Sequence, residues 1–200
     1  GSEMCIRDRT MRIAVGSYYN AAACLLYELH LDTLPHIMDL CATLDPPEWC
    51  GTQCVSLLND VVAVGTYTGR VYLLHWHTGE RCMLEHAEPG SIAALKLLPS
   101  HMISITRLGG MYVYERFGMT QARLVAQHTV SPHPILSVSF GESCMARAGQ
   151  LASGTSTDPI PLAVMCADPV GISHWVWRST EEPTKIWHLD MPHELSLIHI

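Results

Sequence analysis

Basic residues are scarce. The 200-residue chain carries 12 Lys and Arg against 19 Asp and Glu, for a formal net charge of −7, and no two of the basic residues are adjacent. Nucleic-acid binding needs a clustered cationic footprint, so that class of partner is not expected. Charge of either sign is thin, at 16% of residues against 48% hydrophobic, and a composition of that kind does not stay disordered. Long apolar runs are missing too. None approaches the roughly 20 residues a helix needs to span a bilayer, so no membrane role is expected. Glycosylation acceptors are absent, because neither Asn20 nor Asn59 starts an N-x-Ser/Thr triplet. A disulfide framework is absent as well. Setting Cys5 aside, the cysteines are Cys24, Cys41, Cys50, Cys54, Cys82, Cys144 and Cys166, an odd set at irregular spacing. Several fall inside apolar strand patterns, where a free cysteine acts as a small hydrophobe. The expected setting is reducing and intracellular, most simply the cytoplasm.

Both ends of the chain stand apart from the rest. "LSLIHI" (Leu195–Ile200) is an uncharged β-former without a turn or helix signal, close to an aggregation-prone edge. "GSEMCIRDR" (Gly1–Arg9) has neither the apolar core of a signal peptide nor the basic face of a transit peptide. The codons CTG TCT CTT ATA CAC ATC translate as LSLIHI, and their slightly extended reverse complement reads GSEMCIRD. The two ends therefore resemble, in inverted order, the arms of a transposase adapter used for sequencing libraries. Residues 1–9 and 195–200 are expected to be adapter-derived tails, which leaves 10–194 for fold reasoning. Each of Glu3, Asp8, Arg7 and Arg9 lies in the first tail, so removing the tails leaves the net charge unchanged.

Within 10–194 one pattern occurs four times. It reads "RIAVGSYYNAAACLLYELH" from Arg12, "VVAVGTYTGRVYLLHWHTGE" from Val61, "HMISITRLGGMYVYERFG" from His101 and "PLAVMCADPVGISHWVWRS" from Pro161. Each is a short apolar or β-branched run, a turn, and a second run rich in Tyr, Trp, Val and Leu. That is a β-hairpin. Thr68-Gly69 and Gly109-Gly110 supply turn residues that tolerate positive φ, and Asp168-Pro169 followed by Gly171 marks a longer turn. The turn around Asn20 is looser. Further runs flank the hairpins: 52–58, 91–98 and 134–140 precede them, and 81–86 and 122–130 follow them. Strand, hairpin, strand at a period of about 40 to 50 residues is the mark of a β-propeller blade. The segment 142–159, small and polar with Gly, reads as a surface-loop insertion.

"VYLLHWHTGE" resembles the third strand and following turn of WD-repeat blades, in which an aromatic closes the strand and Thr-Gly turns the chain into the outer strand. The Asp that follows Trp in those repeats is replaced by His77. Trp-x-Thr-Gly-Glu and the later "LLPSHM" (Leu97–Met102) also resemble propeller-like regions of fungal F-box proteins. These resemblances imply a non-catalytic scaffold whose rim or loops bind other proteins, and the second of them implies the substrate-binding part of an F-box-type protein.

The expected fold is all-β: a partial β-propeller of about three to four blades, four antiparallel strands each, with the ring not closed. Val61, Ala63, Val71 and Leu73 alternate with Val62, Val64, Tyr72 and Leu74, so both faces of that blade are apolar and need neighbours on both sides. Rings take 4 to 8 blades. The outer blades here would each leave an apolar face in water, a loss of several kcal/mol at roughly 25 cal/mol per Å².

Candidate chemistry is thin. His75 and His77 form an H-x-H pair that strand alternation would place on one face, within reach of one metal. Cys50 and Cys54 form a C-x3-C with no second pair at finger spacing. Ser143 lacks the following Gly of a nucleophile elbow, since Met145 stands there, and His193 lacks the second His of a zinc-protease helix. Asp39, Asp60, Asp168 and Asp190 sit near turns, where Asp makes local backbone hydrogen bonds. Trp175 and Trp177 share a strand face suited to packing between blades. No catalytic, cofactor or metal residue is expected. The competing reading is a fragment of a β-propeller enzyme, a hydrolase or quinone-type dehydrogenase, whose site would need blades beyond these.

Overall fold

The computed structural model describes residues 10–16, 24–30, 36–39, 51–85, 90–142, 162–177 and 183–190. They form four antiparallel sheets, each built from strands consecutive in the chain. The first holds three strands, β1 (Thr10–Gly16), β2 (Cys24–His30) and β3 (His36–Asp39). The second holds β4 (Thr52–Leu58), β5 (Val61–Thr66), β6 (Arg70–His75) and β7 (Arg81–Glu85). The third holds β8 (Ile92–Leu97), β9 (His101–Thr106), β10 (Gly110–Arg116) and β11 (Ala122–Thr129). The fourth holds β12 (Ser137–Glu142), β13 (Leu162–Ala167), β14 (Gly171–Trp177) and β15 (Thr184–Asp190). No helix occurs among the described residues.

Leading strands of consecutive sheets are neighbours. β4 lies beside β8, and β8 beside β12. β5 also lies beside β8, and β1 stands in that same relation to β4. By the repeat and by this placement, β1, β2 and β3 match the second, third and fourth strands of the later sheets. The sheets thus fan out with β4, β8 and β12 innermost and β7, β11 and β15 outermost, and they do not close into a ring.

The hairpin turns follow from their residues. Thr66 Oγ1 accepts from the Arg70 amide at 3.0 Å and donates to the Arg70 carbonyl at 3.0 Å, closing the β5–β6 turn. Thr106 does the same with Gly110 at the β9–β10 turn. Gly69 and Gly109, at φ 88 and 91, take the positive-φ position each turn requires. After β6, Thr78 and Gly79 (φ 71) turn the chain into β7, as the WD-like pattern implied.

Two apolar layers hold the fan together. Val61, Ala63, Val71 and Leu73 meet Ile92, Leu95, Met102 and Tyr112 between the second and third sheets. Ile103, Ile105, Met111 and Val113 meet Val164, Cys166 and Trp177 between the third and fourth. Each fully buried Leu, Ile or Val contributes about 1.5–3 kcal/mol. The alternation read from the sequence is thereby realised: the second and third sheets bury both faces, with Val62, Val64, Ile103 and Ile105 all at 0% exposure.

The fourth sheet does not bury both faces. Pairing puts Met165, His174 and Trp187 in one cross-strand row and Ile172 beside Leu189, on the side away from the third sheet. There Met165 is 43%, Trp187 43% and Leu189 59% exposed.

Some expectations change. The run 134–140 is not one strand, because β12 starts at Ser137. Pro134 has no amide to donate, and Ile135 instead donates its amide to the Arg107 carbonyl at 2.7 Å, pinning the linker to the third sheet. Glu142, placed in the loop insertion, is the last residue of β12. The rest of that insertion, 143–159, both tails and the Asn20 turn lie outside the described residues.

Candidate functional site

The H-x-H pair is split by the end of its strand. β6 stops at His75, and Trp76 to Thr78 form a turn, so alternation does not carry through to His77. His75 is buried, and its Nδ1 accepts from the Thr78 amide at 3.2 Å and lies 2.8 Å from Thr78 Oγ1. His77 is exposed and faces Asp60 at 3.7 Å. The rings stand 6.2 Å apart. Expecting both imidazoles on one face was wrong, and the reason is local turn formation. Asp60 also accepts from Trp76 Nε1 at 3.3 Å. An Asp from the β4–β5 turn thus reaches the Trp whose own following Asp is missing.

Cys54 packs against Ile92, with its Sγ 3.7 Å from the Ile92 carbonyl, and burial pushes its thiol up to about 12. Cys50 lies outside the described residues. Cys166 is buried between sheets; burial, with the nearby Asp168 charge, raises it to about 12. Thiols this hard to ionise are poor nucleophiles. Among the described residues no group of three His, Cys, Asp or Glu side chains is placed to hold a metal ion. Ser143 and His193 lie outside the described residues.

A Ser-His-Asp line does occur. His188 Nδ1 sits 3.1 Å from Ser173 Oγ, and His188 Nε2 sits 2.9 Å from Asp190 Oδ1. Its polarity is wrong for nucleophilic catalysis. Ser173 is 2% exposed inside the sheet, while Asp190 stands in solvent at 86% side-chain exposure. Substrate cannot reach the hydroxyl, so this is a cross-strand stitch between β14 and β15.

The Asp168 carboxylate accepts three hydrogen bonds. It accepts from Ser131 Oγ at 2.5 Å and from the amides of Val170 and Gly171 at 2.9 Å each. Burial alone would raise its pKa. The Ser131, Val170 and Gly171 hydrogen bonds, with the charge of His133, outweigh that and hold the carboxyl below its ordinary value. Ser131 belongs to the linker between the third and fourth sheets, so this contact locks one sheet to the next. Trp177 is buried between those sheets, its ring set roughly perpendicular to that of His101 with centroids 5.2 Å apart, and Trp175 packs against the same layer. They serve packing between sheets.

What remains is the rim. The β5–β6, β9–β10 and β13–β14 turns lie at one end of the fan, tied together by the linkers. A Cβ on Gly69 would strike the Gly90 carbonyl, and one on Gly109 the Ser131 carbonyl, so each linker lies directly on the preceding turn. Val130 donates to Gly109 at 2.9 Å, and Arg107 Nη1 donates to the Ile135 carbonyl at 3.3 Å. On this braced frame Tyr67 is 58%, Leu108 56% and Leu136 58% exposed. Large apolar side chains on rigid turns are what an interface anchor needs. Sequence reading missed them, because Tyr67 and Leu108 sit in turns where the alternation signal ends. The opposite rim holds a pocket of about 590 Å³ lined by Asp60, Pro99, Arg116 and Met119 among others. Arg116 donates there to the carbonyls of Leu98 (2.9 Å) and Met119 (3.2 Å), and burial lowers its pKa.

No family model and no curated protein matches the chain. Solved structures do. The chain is similar to Saccharomyces cerevisiae Sqt1, with TM-score 0.53 and 12% identity over 78% of this chain and 38% of that one. It is also similar to a chain in the crystal structure of the Mitotic Checkpoint Complex, with TM-score 0.57 and 11% identity over 90% of this chain and 47% of that one. Both are WD40 β-propeller proteins, and the chain spans less than half the length of either. The fold is thus a partial β-propeller like theirs, with the ring not closed. Among the described residues no helix is long and apolar enough to cross a membrane.

Proposed function

We propose that this chain is a non-catalytic protein-interaction scaffold on a WD-repeat-like β-propeller, holding partner proteins through its rim turns. One observation carries the reading. Tyr67 and Leu108, each more than half exposed, cap the hairpin turns of adjacent sheets that Gly69–Gly90 and Gly109–Ser131 contacts hold rigid. Pre-organised apolar anchors lower the ordering entropy of binding, which is what a scaffold surface requires. The polar side chains that could do chemistry support the same reading, since His75, Asp168 and Ser173 are engaged in turn and strand contacts.

The test is affinity capture with three proteins: the natural chain, the Tyr67→Ser/Leu108→Ser variant, and Phe117→Ser, a residue 52% exposed in the β10–β11 turn on the opposite rim. A partner lost by the double variant and kept by Phe117→Ser is expected. Equal capture by all three contradicts the reading.

The finer reading makes the chain the substrate-binding part of an F-box-type protein. It rests on the Trp-x-Thr-Gly-Glu and "LLPSHM" resemblance. Reading the coding sequence upstream of Thr10 tests it: an F-box supports it, and a signal peptide opposes it.

A further inference from the structure

We propose that the pocket between the second and third sheets, on the rim opposite Tyr67 and Leu108, binds a small zwitterion of the amino-acid type, with its carboxylate on Arg116 and its ammonium on Asp60. The pocket measures about 590 Å³, within the roughly 300–1,000 Å³ of small-molecule sites. One wall is the β4–β5 turn of the second sheet, with Leu58, Asp60 and Val61. The other comes from the β8–β9 and β10–β11 turns of the third sheet, with Pro99, Arg116 and Met119. Val61 also belongs to the buried layer that joins the two sheets, so the walls are fixed relative to each other.

Three observations choose the ligand. First, Arg116 is held in place before any ligand arrives. Its Nη1 donates to the Leu98 carbonyl at 2.9 Å, its Nη2 to the Met119 carbonyl at 3.2 Å, and its backbone amide to the Ser100 carbonyl at 2.8 Å. Each Nη carries a pair of N–H groups, so one on each is left over. Nε is enclosed with no hydrogen-bond partner among the described residues. Among those residues no carboxylate pairs with Arg116, and burial acts on its charge without an offsetting anion. A delocalised cation in that state is matched by a planar carboxylate, which meets two N–H groups at once. Second, Asp60 puts the opposite charge in the same pocket. Asn59 takes the left-handed position of the β4–β5 turn at φ 52, and Asp60 follows it into the wall. Its Oδ1 meets Trp76 Nε1 at 3.3 Å and His77 at 3.7 Å, yet its side chain is 37% exposed and within reach of a ligand. This carboxylate repels a simple anion such as phosphate, and Arg116 repels a simple cation. A molecule with one charge of each sign satisfies both walls. Third, Leu58, Val61, Pro99 and Met119 give the body of such a molecule apolar surface to lie on. The site shares no residue with the Tyr67 and Leu108 rim.

The experiment is isothermal titration calorimetry on the whole 200-residue chain, with L-leucine and L-leucyl-L-leucine as probes. The two differ in the spacing of their charges and so separate a free amino acid from a peptide. Saturable binding of at least one is expected. Its N-acetyl form lacks the cation and its C-terminal amide lacks the anion, and each should bind at least about tenfold more weakly. Asp60→Asn and Arg116→Gln, with the circular dichroism of the natural chain, should weaken the zwitterion by a similar factor. Tyr67→Ser/Leu108→Ser should leave its affinity unchanged. Where Arg116→Gln does not fold, the blocked probes and Asp60→Asn decide alone. No saturable binding of either probe up to about 10 mM overturns the proposal. Blocked probes that bind as well as their parent overturn it too, since the pocket then reads no charge. Binding unmoved by a folded Asp60→Asn overturns it by placing the site elsewhere.

Discussion

Asp168 shows how single residues brace this fold. Its carboxylate joins a hairpin turn to the preceding linker through Ser131. Its pKa is depressed in the folded chain. A depressed carboxyl contributes stability that is fully present above its unfolded value, about 3.9, and is lost as pH falls through the folded value. Asp168→Asn should lower stability by about 1–3 kcal/mol at neutral pH and flatten the acid side of the stability curve. Denaturant titrations at a series of pH values check this, and an unchanged acid slope contradicts it. Gly109 and Gly79 offer a second comparison. Both have positive φ, but only Gly109 has a backbone carbonyl, that of Ser131, where a Cβ would go. Gly109→Ala should lose clearly more stability than Gly79→Ala, for which about 1 kcal/mol is expected. Thiol chemistry gives a third. At a pKa of about 12, Cys54 and Cys166 have few thiolates at pH 8, so alkylation should mark them only after unfolding. Peptide mass mapping before and after denaturant reads this directly.

At the scale of elements, strands sandwiched on both faces were the legible ones. "VVAVGT" and "RVYLLH" are apolar at every other position on both sides, and they became β5 and β6, with their turn set by Thr66 and Gly69. Outer and short strands were harder to see. β3 has four residues, and β15 is exposed along its whole length, so neither leaves a strong period in the sequence. The start of β12 was misread because Ile135 is as apolar as a strand residue yet spends its amide on the preceding sheet. Of the site, spacing drew attention to His75 and His77, while the exposed Tyr67 and Leu108 depend on how linkers lie over turns, a long-range feature no local pattern encodes. The two buried layers yield a prediction at this scale. Trp177→Ala, inside the layer between the third and fourth sheets, should cost about 3–5 kcal/mol. Trp187→Ala on the open side, where the ring is 43% exposed, should cost markedly less in the same unfolding measurement. Equal losses would mean the two faces of the fourth sheet are equally covered.

For the whole molecule, the central claim is a fan of propeller sheets in which the second and third are covered on both faces. Stability in such a row rises with the number of covered faces. Amide hydrogen exchange followed by mass spectrometry tests this most directly. The slowest exchange should fall in β5, β6, β9 and β10, the strands buried on both faces, with β7, β11 and β15 exchanging sooner along their open outer edges. If the outer strands outlast β5 and β9, or if protection is even along the chain, the sheets are not stacked in this order and the propeller account fails.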